Sequence, residues 1–278
     1  MKTFIFCLLI IMPVTCHSQF YRFIYEYSFV KDTISQKKFS MRYYLDISPQ
    51  KVKFYNEELY HLDSIQKLTK ETTSMTVPAS VMVERMLGSD ENMAYKFIDS
   101  DYYKIKSKDK LRWNIDSETK IYNNFPLQKA NTKYGGRLWT AWFCKDIIIS
   151  EGPYKFRGLP GLIFEIEDVE GNFKFKLVEV RKISSEYNTE NILESNFGKK
   201  ALAVSVEKYN KILIDAYNNP FSELRTKMEM GEDFTLSIYG KQIKTVKDLD
   251  SIKRLRQSDI RKNYNPIELD KAVKYNSK

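Results

Sequence analysis

Between Leu162 and Val180 the chain reads LIFEIEDVEGNFKFKLVEV, with apolar and charged residues alternating on both sides of a short turn. A period of two marks a half-buried β-strand, because successive side chains of a strand point to opposite faces. Leu162, Phe164 and Ile166 form one apolar row, and Phe173, Phe175 and Leu177 answer it on the return strand. Glu165 and Glu167 share a face with Lys174 and Lys176, where cross-strand charge pairs contribute roughly 0.2–1 kcal/mol each. The turn runs from Asp168 to Asn172, with Gly171 supplying a positive φ. A chain committed to this hairpin must also provide a sheet for it to join.

The remaining pattern provides one. FYRFIYEYSFVKD alternates aromatics at Tyr21, Phe23, Tyr25, Tyr27 and Phe29, which predicts a half-buried first strand. KFSMRYYLDISP and KVKFYN continue as strands, and Leu59, Leu62, Ile65 and Leu68 then fall at helical spacing. His61 lies beside that stripe and reads as a surface histidine. Residues 70–92 show no sustained period and read as an irregular excursion. Short strands are expected at AYKFIDS, YYKIK, LRWNID, TKIYNNF, LQKANTKY, RLWTAWFC and DIIIS, separated by Asp, Asn and Gly turns. Strands do not alternate with long helices before residue 200, which argues against a doubly wound α/β fold. Later, Ser205 is placed to cap a helix ended by Asn218-Asn219-Pro220. A second helix covers Phe221 to Met230, a late hairpin covers FTLSIYGKQI, and a charged helix runs from Thr245 toward Asn265-Pro266. The expected fold is mainly β (α+β): an antiparallel curved sheet or open half-barrel with a few mostly C-terminal helices against it.

Location is written in MKTFIFCLLIIMPVTCHS. Lys2, the apolar run Phe4 to Met12, Pro13 and small residues at Cys16 and Ser18 make a secretory leader, cut after Ser18. The run is shorter than the roughly 20 apolar residues of a membrane-spanning helix. Pro13-Val14-Thr15 lacks the leucine and the small residue that would make Cys16 a lipidation site. The expected organisation is a leader over 1–18 and one β-rich domain over 19–278, without a transmembrane segment. Export places the protein in the periplasm, at the outer-membrane periphery or outside the cell. It would remove Cys7, Cys16 and His17, leaving Cys144 and His61, so the core and no disulfide holds the fold together.

That inventory narrows the chemistry. One histidine and one cysteine cannot build a zinc site, and His61 has no G-x-S-x-G serine to serve as base. No phosphate-cradling glycine loop or calcium loop is present, so no cofactor and no metal are expected. The net charge of +9 is spread among interleaved acids, which fits a solvated face and an anionic envelope surface better than nucleic acid. A hydrolase would need two carboxylates, for which Glu165, Glu167 and Asp168 are the nearest candidates.

Upstream of the hairpin, GPYKFRGLPGLI concentrates glycine and proline. Leu159-Pro160-Gly161-Leu162 fits a type II turn, with proline setting φ at the second position and glycine taking the positive φ at the third. Gly158, Leu159, Pro160, Gly161, Leu162 and Ile163 thus read as a packed structural corner. Its functional alternative is a cavity mouth or partner surface formed by Trp139, Trp142, Tyr154, Phe156 and Arg157.

WNIDSETKI, LQKANT, GRLWTAWF and ISEGPYKFRGLPGLIFEIED resemble successive blocks of the GLPGLI family, secreted proteins of Bacteroidota named for this hexapeptide. The likeness is close over about residues 110–183 and looser at the leader, the first aromatic strand and YNPIEL near Asn265. Cys144-Lys145 departs from the family's Thr-Pro after the tryptophan strand, and Phe125-Pro126-Leu127 stands where members often carry a cysteine. The resemblance implies an architecture similar to the open half-barrels of lipoprotein carriers, and it implies no activity, cofactor or catalytic residue.

Together these readings lead to an exported, non-catalytic envelope protein that binds an apolar or peptide-like ligand, a lipid or an outer-membrane protein partner. The alternatives are an assembly accessory without a small-molecule ligand, and, third, the carboxylate hydrolase.

Overall fold

The computed structural model describes residues 20–70, 77, 80–98, 101–196, 198–231 and 236–275. Residues 1–18, the expected leader with Cys7 and Cys16, lie outside them, as do residues 71–76 and 78–79 of the excursion. Two antiparallel meanders make up most of the molecule. The first comprises β1 (Phe20–Val30), β2 (Lys38–Ile47), β3 (Lys51–Asn56), β4 (Met82–Met86), β5 (Glu91–Ile98) and β6 (Asp101–Lys108). The second comprises β7 (Asn114–Tyr122), β8 (Phe125–Tyr134), β9 (Arg137–Cys144), β10 (Leu162–Asp168) and β11 (Phe173–Ile183). They join where β1 pairs antiparallel with β11, Phe29 opposite Phe173 and Tyr25 opposite Leu177. The result is one curved sheet that does not close on itself.

A π-helical turn at Glu190–Glu194 and a small ladder of β12 (Ser195–Asn196) and β13 (Lys199–Lys200) lead to β14 (Leu202–Val204). β14 adds to the outer edge of β6 in parallel, bringing the sheet to twelve strands. The helices are α1 (Glu57–Thr69), α2 (Val206–Asn218), α3 (Ser222–Glu229) and α4 (Val246–Lys262), with the hairpin β15 (Leu236–Ile238) and β16 (Lys241–Ile243) before the last. The expected cap at Ser205 is in place, and Asn56 and Thr245 cap two further helices. Asn56 accepts from the Leu59 amide at α1, Ser205 from the Lys208 amide at α2, and Thr245 and Asp248 form a capping box at α4.

The first strand is more deeply buried than its alternation predicts. Phe23, Ile24 and Tyr25 are all buried, because β1 is central and Tyr60 of α1 reaches over Arg22 on its second face. On that face Arg22 makes a forked contact with Asp46 at 2.8 and 2.7 Å, donates to Tyr55, and lies under Tyr44 and Tyr60. On the inner face Tyr27, Tyr43, Phe54 and Phe175 stack into the aromatic core. A smaller cluster, Ile243, Leu249 and Ile252 with Phe221 and Met228, holds α3, α4 and the late hairpin together.

Several local expectations change. The excursion over 70–92 contains β4, a regular strand paired on both sides, with Phe54 opposite Val83 and Met82 opposite Tyr95. The end of LRWNID and the start of TKIYNNF lie in a single edge strand, β7, whose pairing slips between Ile115 and Thr119, while Leu111 to Trp113 are not strand. DIIIS is not a strand: Ile149 turns back on the Ile147 carbonyl, and Ile148 is fully exposed. In β10 an extra residue at Phe164 shifts the register against β9, so Phe164 packs on Tyr122 and Phe125 instead of alongside Ile166.

Candidate functional site

The site grows from the irregular segment between β9 and β10. Leu159-Pro160-Gly161 does not form the expected type II turn. The Gly161 amide donates to the Leu159 carbonyl at 2.8 Å, closing a three-residue γ-turn, and the Leu162 amide reaches the Ile147 carbonyl instead. The glycine is still required. A Cβ on Gly161 would lie 2.0 Å from the Cys144 carbonyl oxygen, because β9 and the corner touch there through backbone alone. Further bonds, Gly158 to Ser150, Ile163 to Glu151 and the Ser150 hydroxyl to Leu159, tie both arms of the corner together.

The corner's aromatics are core. Trp139, Tyr154 and Phe156 are buried, with the Trp139 and Phe156 rings 4.6 Å apart and the Trp139 indole donating to the Tyr134 carbonyl. Trp142 faces the other side of β9, under the ammonium of Lys120. Arg157 is buried and occupied: it donates to the carbonyls of Lys155 and Asp109 and to Asn92. The five proposed surface residues therefore do not assemble into one surface, although Tyr154 reaches one cavity and Arg157 and Gly158 border another.

The hairpin acids divide in the same way. Lys174 pairs with both Glu165 and Glu167, and Lys120 adds to Glu165 at 3.1 Å, while Lys176 lies over the Tyr122 ring. Asp168 is buried, 3.0 Å from Arg137, and accepts the Phe173 amide. Burial pushes its carboxyl up against the opposing pull of that amide and of Arg137.

Two distant blocks of sequence meet at the inner face. The tail after α4, Tyr264 to Leu269, docks on the corner: Tyr154 and Lys155 both donate to Glu268, the latter at 2.7 Å. Arg137 holds the Asn265 side chain and the Pro266 carbonyl, and the Leu269 amide donates to Gly135. Lys155 also lies 3.3 Å from Asp109, and Lys271 closes the ring at 2.7 Å from Asp109 and 2.5 Å from Glu268. This gives two carboxylates and two ammonium groups, of which Asp109, Glu268 and Lys155 are buried and Lys271 is partly exposed. Burial alone would raise both acids, yet the two lysines outweigh it. Glu268 is held down at about 2 and Asp109 well below the usual carboxylate range.

Beside this clamp, the inner sheet face, α2, α4 and the tail enclose a cavity of about 560 Å³. Its sheet wall is apolar, formed by Tyr27, Phe29, Ala94, Ile105 and Phe173. Lys96 projects from that wall. Its ammonium donates to the Ser80 carbonyl at 2.6 Å, and no carboxylate among the described residues lies within ion-pair distance of it. Burial pushes Lys96 down to about 8, with Glu268 opposing and Lys155 reinforcing the shift. His61 is exposed on α1, 3.9 Å from Glu57, and among the described residues no cluster of His, Cys, Asp or Glu could hold a metal ion.

Sequence reasoning did not single out Lys96, Asp109, Lys155, Glu268 or Lys271. A signal existed for two of them: Lys155 is a charge inside an apolar corner, and Glu268 lies in the YNPIEL block.

Residues 128–165 match the model of a family described as a protein of unknown function (Porph_ging). No curated protein matches the chain. Among solved structures, those of PNGF-II in the C2 and P21 space groups are similar at 18% and 17% identity, each with a TM-score of 0.49. In both, 70% of this chain aligns with 33% of the other, so the chain spans about a third of their length. No described helix is long and apolar enough to cross a membrane.

Proposed function

We propose that this chain is an exported, non-catalytic envelope protein of the GLPGLI type that holds an apolar or peptide-like ligand between its sheet and its C-terminal elements. The observation that carries this reading is the cavity of about 560 Å³ behind Phe29, Ile105 and Phe173, which falls in the size range of small-molecule sites, about 300–1,000 Å³. Export rests on the leader pattern in residues 1–18.

The absence of catalysis is argued from the acids. Glycoside hydrolysis needs one carboxyl kept protonated as the acid, which requires a raised pKa. Asp109 and Glu268 face each other across two lysines and are both held low. Glu165 is likewise held low by its lysines despite its partial burial. Asp168 is pushed up, but its oxygens are occupied by Arg137 and the Phe173 amide.

Native mass spectrometry of the protein purified from its own host tests the reading. A co-purifying small molecule is expected, and Ala94→Trp, which fills the cavity wall, should abolish it. Protein that carries no adduct and also fails to take up an uncharged fluorescent apolar probe would rule the ligand site out.

One observation favours the assembly alternative. β7 is an edge strand with a single partner, β8, and leaves Ile115 and Ile121 exposed. A free edge of this kind is a template for strand addition by a partner chain. Co-purification of an envelope protein, lost on Ile121→Lys and accompanied by no small molecule, would select this alternative.

A further inference from the structure

The cavity is apolar but not neutral. Among its lining side chains, Lys31, Lys96, Lys155, Arg256 and Lys271 are basic, whereas Asp259 and Glu268 are acidic. Most of these charges are already matched. Lys155 and Lys271 are held by Glu268 and Asp109, Arg256 lies 4.0 Å from Asp259, and Lys31 rests over the Phe29 and Phe39 rings. Lys96 differs from all of them. An ammonium group carries three donors, and the Ser80 carbonyl takes one. A partly buried charge without a counter-ion is costly, and such groups are normally paired.

We propose that the ligand of this cavity is an alkyl monocarboxylate, its chain lying along Phe29, Ile105 and Phe173 and its carboxylate accepting the two remaining donors of Lys96. This rests on reading the cavity as a ligand site. An anion beside Lys96 supplies the missing counter-ion, while the aromatic wall removes the chain from water. A cationic or zwitterionic head group would gain nothing from this wall.

The titration follows. The groups that share the cavity with Lys96 are Tyr27 of β1, Lys31 just after it, Tyr154 and Lys155 of the corner, Tyr209 of α2, Arg256 and Asp259 of α4, and Tyr264, Glu268 and Lys271 of the tail. Glu268 is ionised far below neutrality, and Lys271 and the four tyrosines are raised above their ordinary values. Burial holds Lys96 at about 8, so it loses its proton as the solution turns alkaline. Carboxylate binding should therefore weaken as pH rises through about 8, whereas binding of an uncharged analogue should not change.

The test compares dodecanoate, dodecanol and dodecylammonium by displacement of an uncharged fluorescent probe from the full chain. Dodecanoate should bind about tenfold more tightly than dodecanol at pH 7, a preference lost by pH 9.5 and absent in Lys96→Met, with dodecanol binding retained. Lys96→Arg, whose charge does not titrate in this range, should keep the preference at pH 9.5; it also serves should the methionine variant fail to fold. If the wild type binds dodecanol and dodecanoate equally, or Lys96→Met keeps the preference, the inference is wrong and the cavity reading stands. If none of the three displaces the probe, or the probe itself does not bind, the ligand-site reading falls and the inference with it.

Discussion

At the scale of single residues, Gly161 and Glu268 carry the most specific consequences. Gly161 allows β9 and the corner to touch through backbone, with a Cβ position 2.0 Å from the Cys144 oxygen. Gly161→Ala should cost about 3 kcal/mol or more in denaturant unfolding, since backbone has to move to admit the methyl. Gly240→Ala, at φ +74 with no atom within 4 Å of its Cβ position, should cost only about 1 kcal/mol. Equal losses at the two sites would mean that conformation, not close approach, selects glycine at 161. Glu268 and Asp109 sit lower in the folded protein than in an unfolded chain, so their contribution to stability is complete above about 4.5 and is lost as pH falls toward 2. Lys96 acts in the other sense: its depressed ammonium costs stability below pH 8, and that cost disappears as pH rises from about 8 to 10.5. Lys155→Met should cost about 3–5 kcal/mol and abolish most of the acid-limb dependence, because two buried carboxylates would then share one lysine. Urea unfolding across pH 2–6 measures both effects, and an unchanged acid limb in Lys155→Met would remove the clamp from the account.

At the scale of elements, the local rules were legible wherever one residue decides the backbone. Ser205 at α2 and Thr245 at α4 could be read as caps or starts because a side-chain oxygen satisfies a terminal amide regardless of what the helix packs on. Thr245→Ala should lower stability by about 1 kcal/mol, measured by thermal or urea unfolding, with exchange protection reduced first in α4. Asn123 and Asn124, both at positive φ, close the two-residue hairpin between β7 and β8 as a type I′ turn requires. Asn124→Gly should leave stability unchanged or slightly raised, whereas Asn124→Val should cost about 1–2 kcal/mol. If valine were tolerated as well as glycine in urea unfolding, the turn would not hold the positive φ. Less was legible where packing decides. Leu159-Pro160-Gly161-Leu162 meets every requirement of a type II turn, yet the Leu162 amide finds the Ile147 carbonyl, and a tighter turn results. In DIIIS the apolar run reads as strand, but no neighbouring strand reaches it and Ile148 is left in solvent.

At the scale of the whole molecule, the tail from Tyr264 to Lys271 matters more than its length suggests. It contacts β1 through Asn265 and Val30, the loop after β8 through Leu269 and Gly135, and the corner through Glu268. It also forms one wall of the cavity. Removing residues 264–278 should lower the melting temperature and raise the fluorescence of an apolar dye, because Phe29, Phe173 and Lys96 would open to water. A truncated chain with the parent's melting temperature and no added dye binding would show that the tail is not part of the closed structure.

The sequence by itself determined most of the strands, the late helices and the presence of a glycine-dependent corner, but not β4, the loop at DIIIS or the corner's turn type. Each depends on neighbours close in the chain, where period, cap and turn chemistry act directly. β1 alternates because one face must be apolar in any sheet, and Gly171 stands where the hairpin turn needs φ +71. Only the tertiary structure decided that β1 would be central and buried on both faces, that Trp139, Tyr154 and Phe156 would fill the core, and that Lys155 would meet Glu268 across more than a hundred residues. A buried ion cluster has no periodicity, since its members come from a loop, a corner and a tail. Lys96 shows the same limit: in AYKFIDS it reads as an ordinary strand lysine on a solvated face. The fold turns that face inward and leaves the ammonium without a described carboxylate beside it.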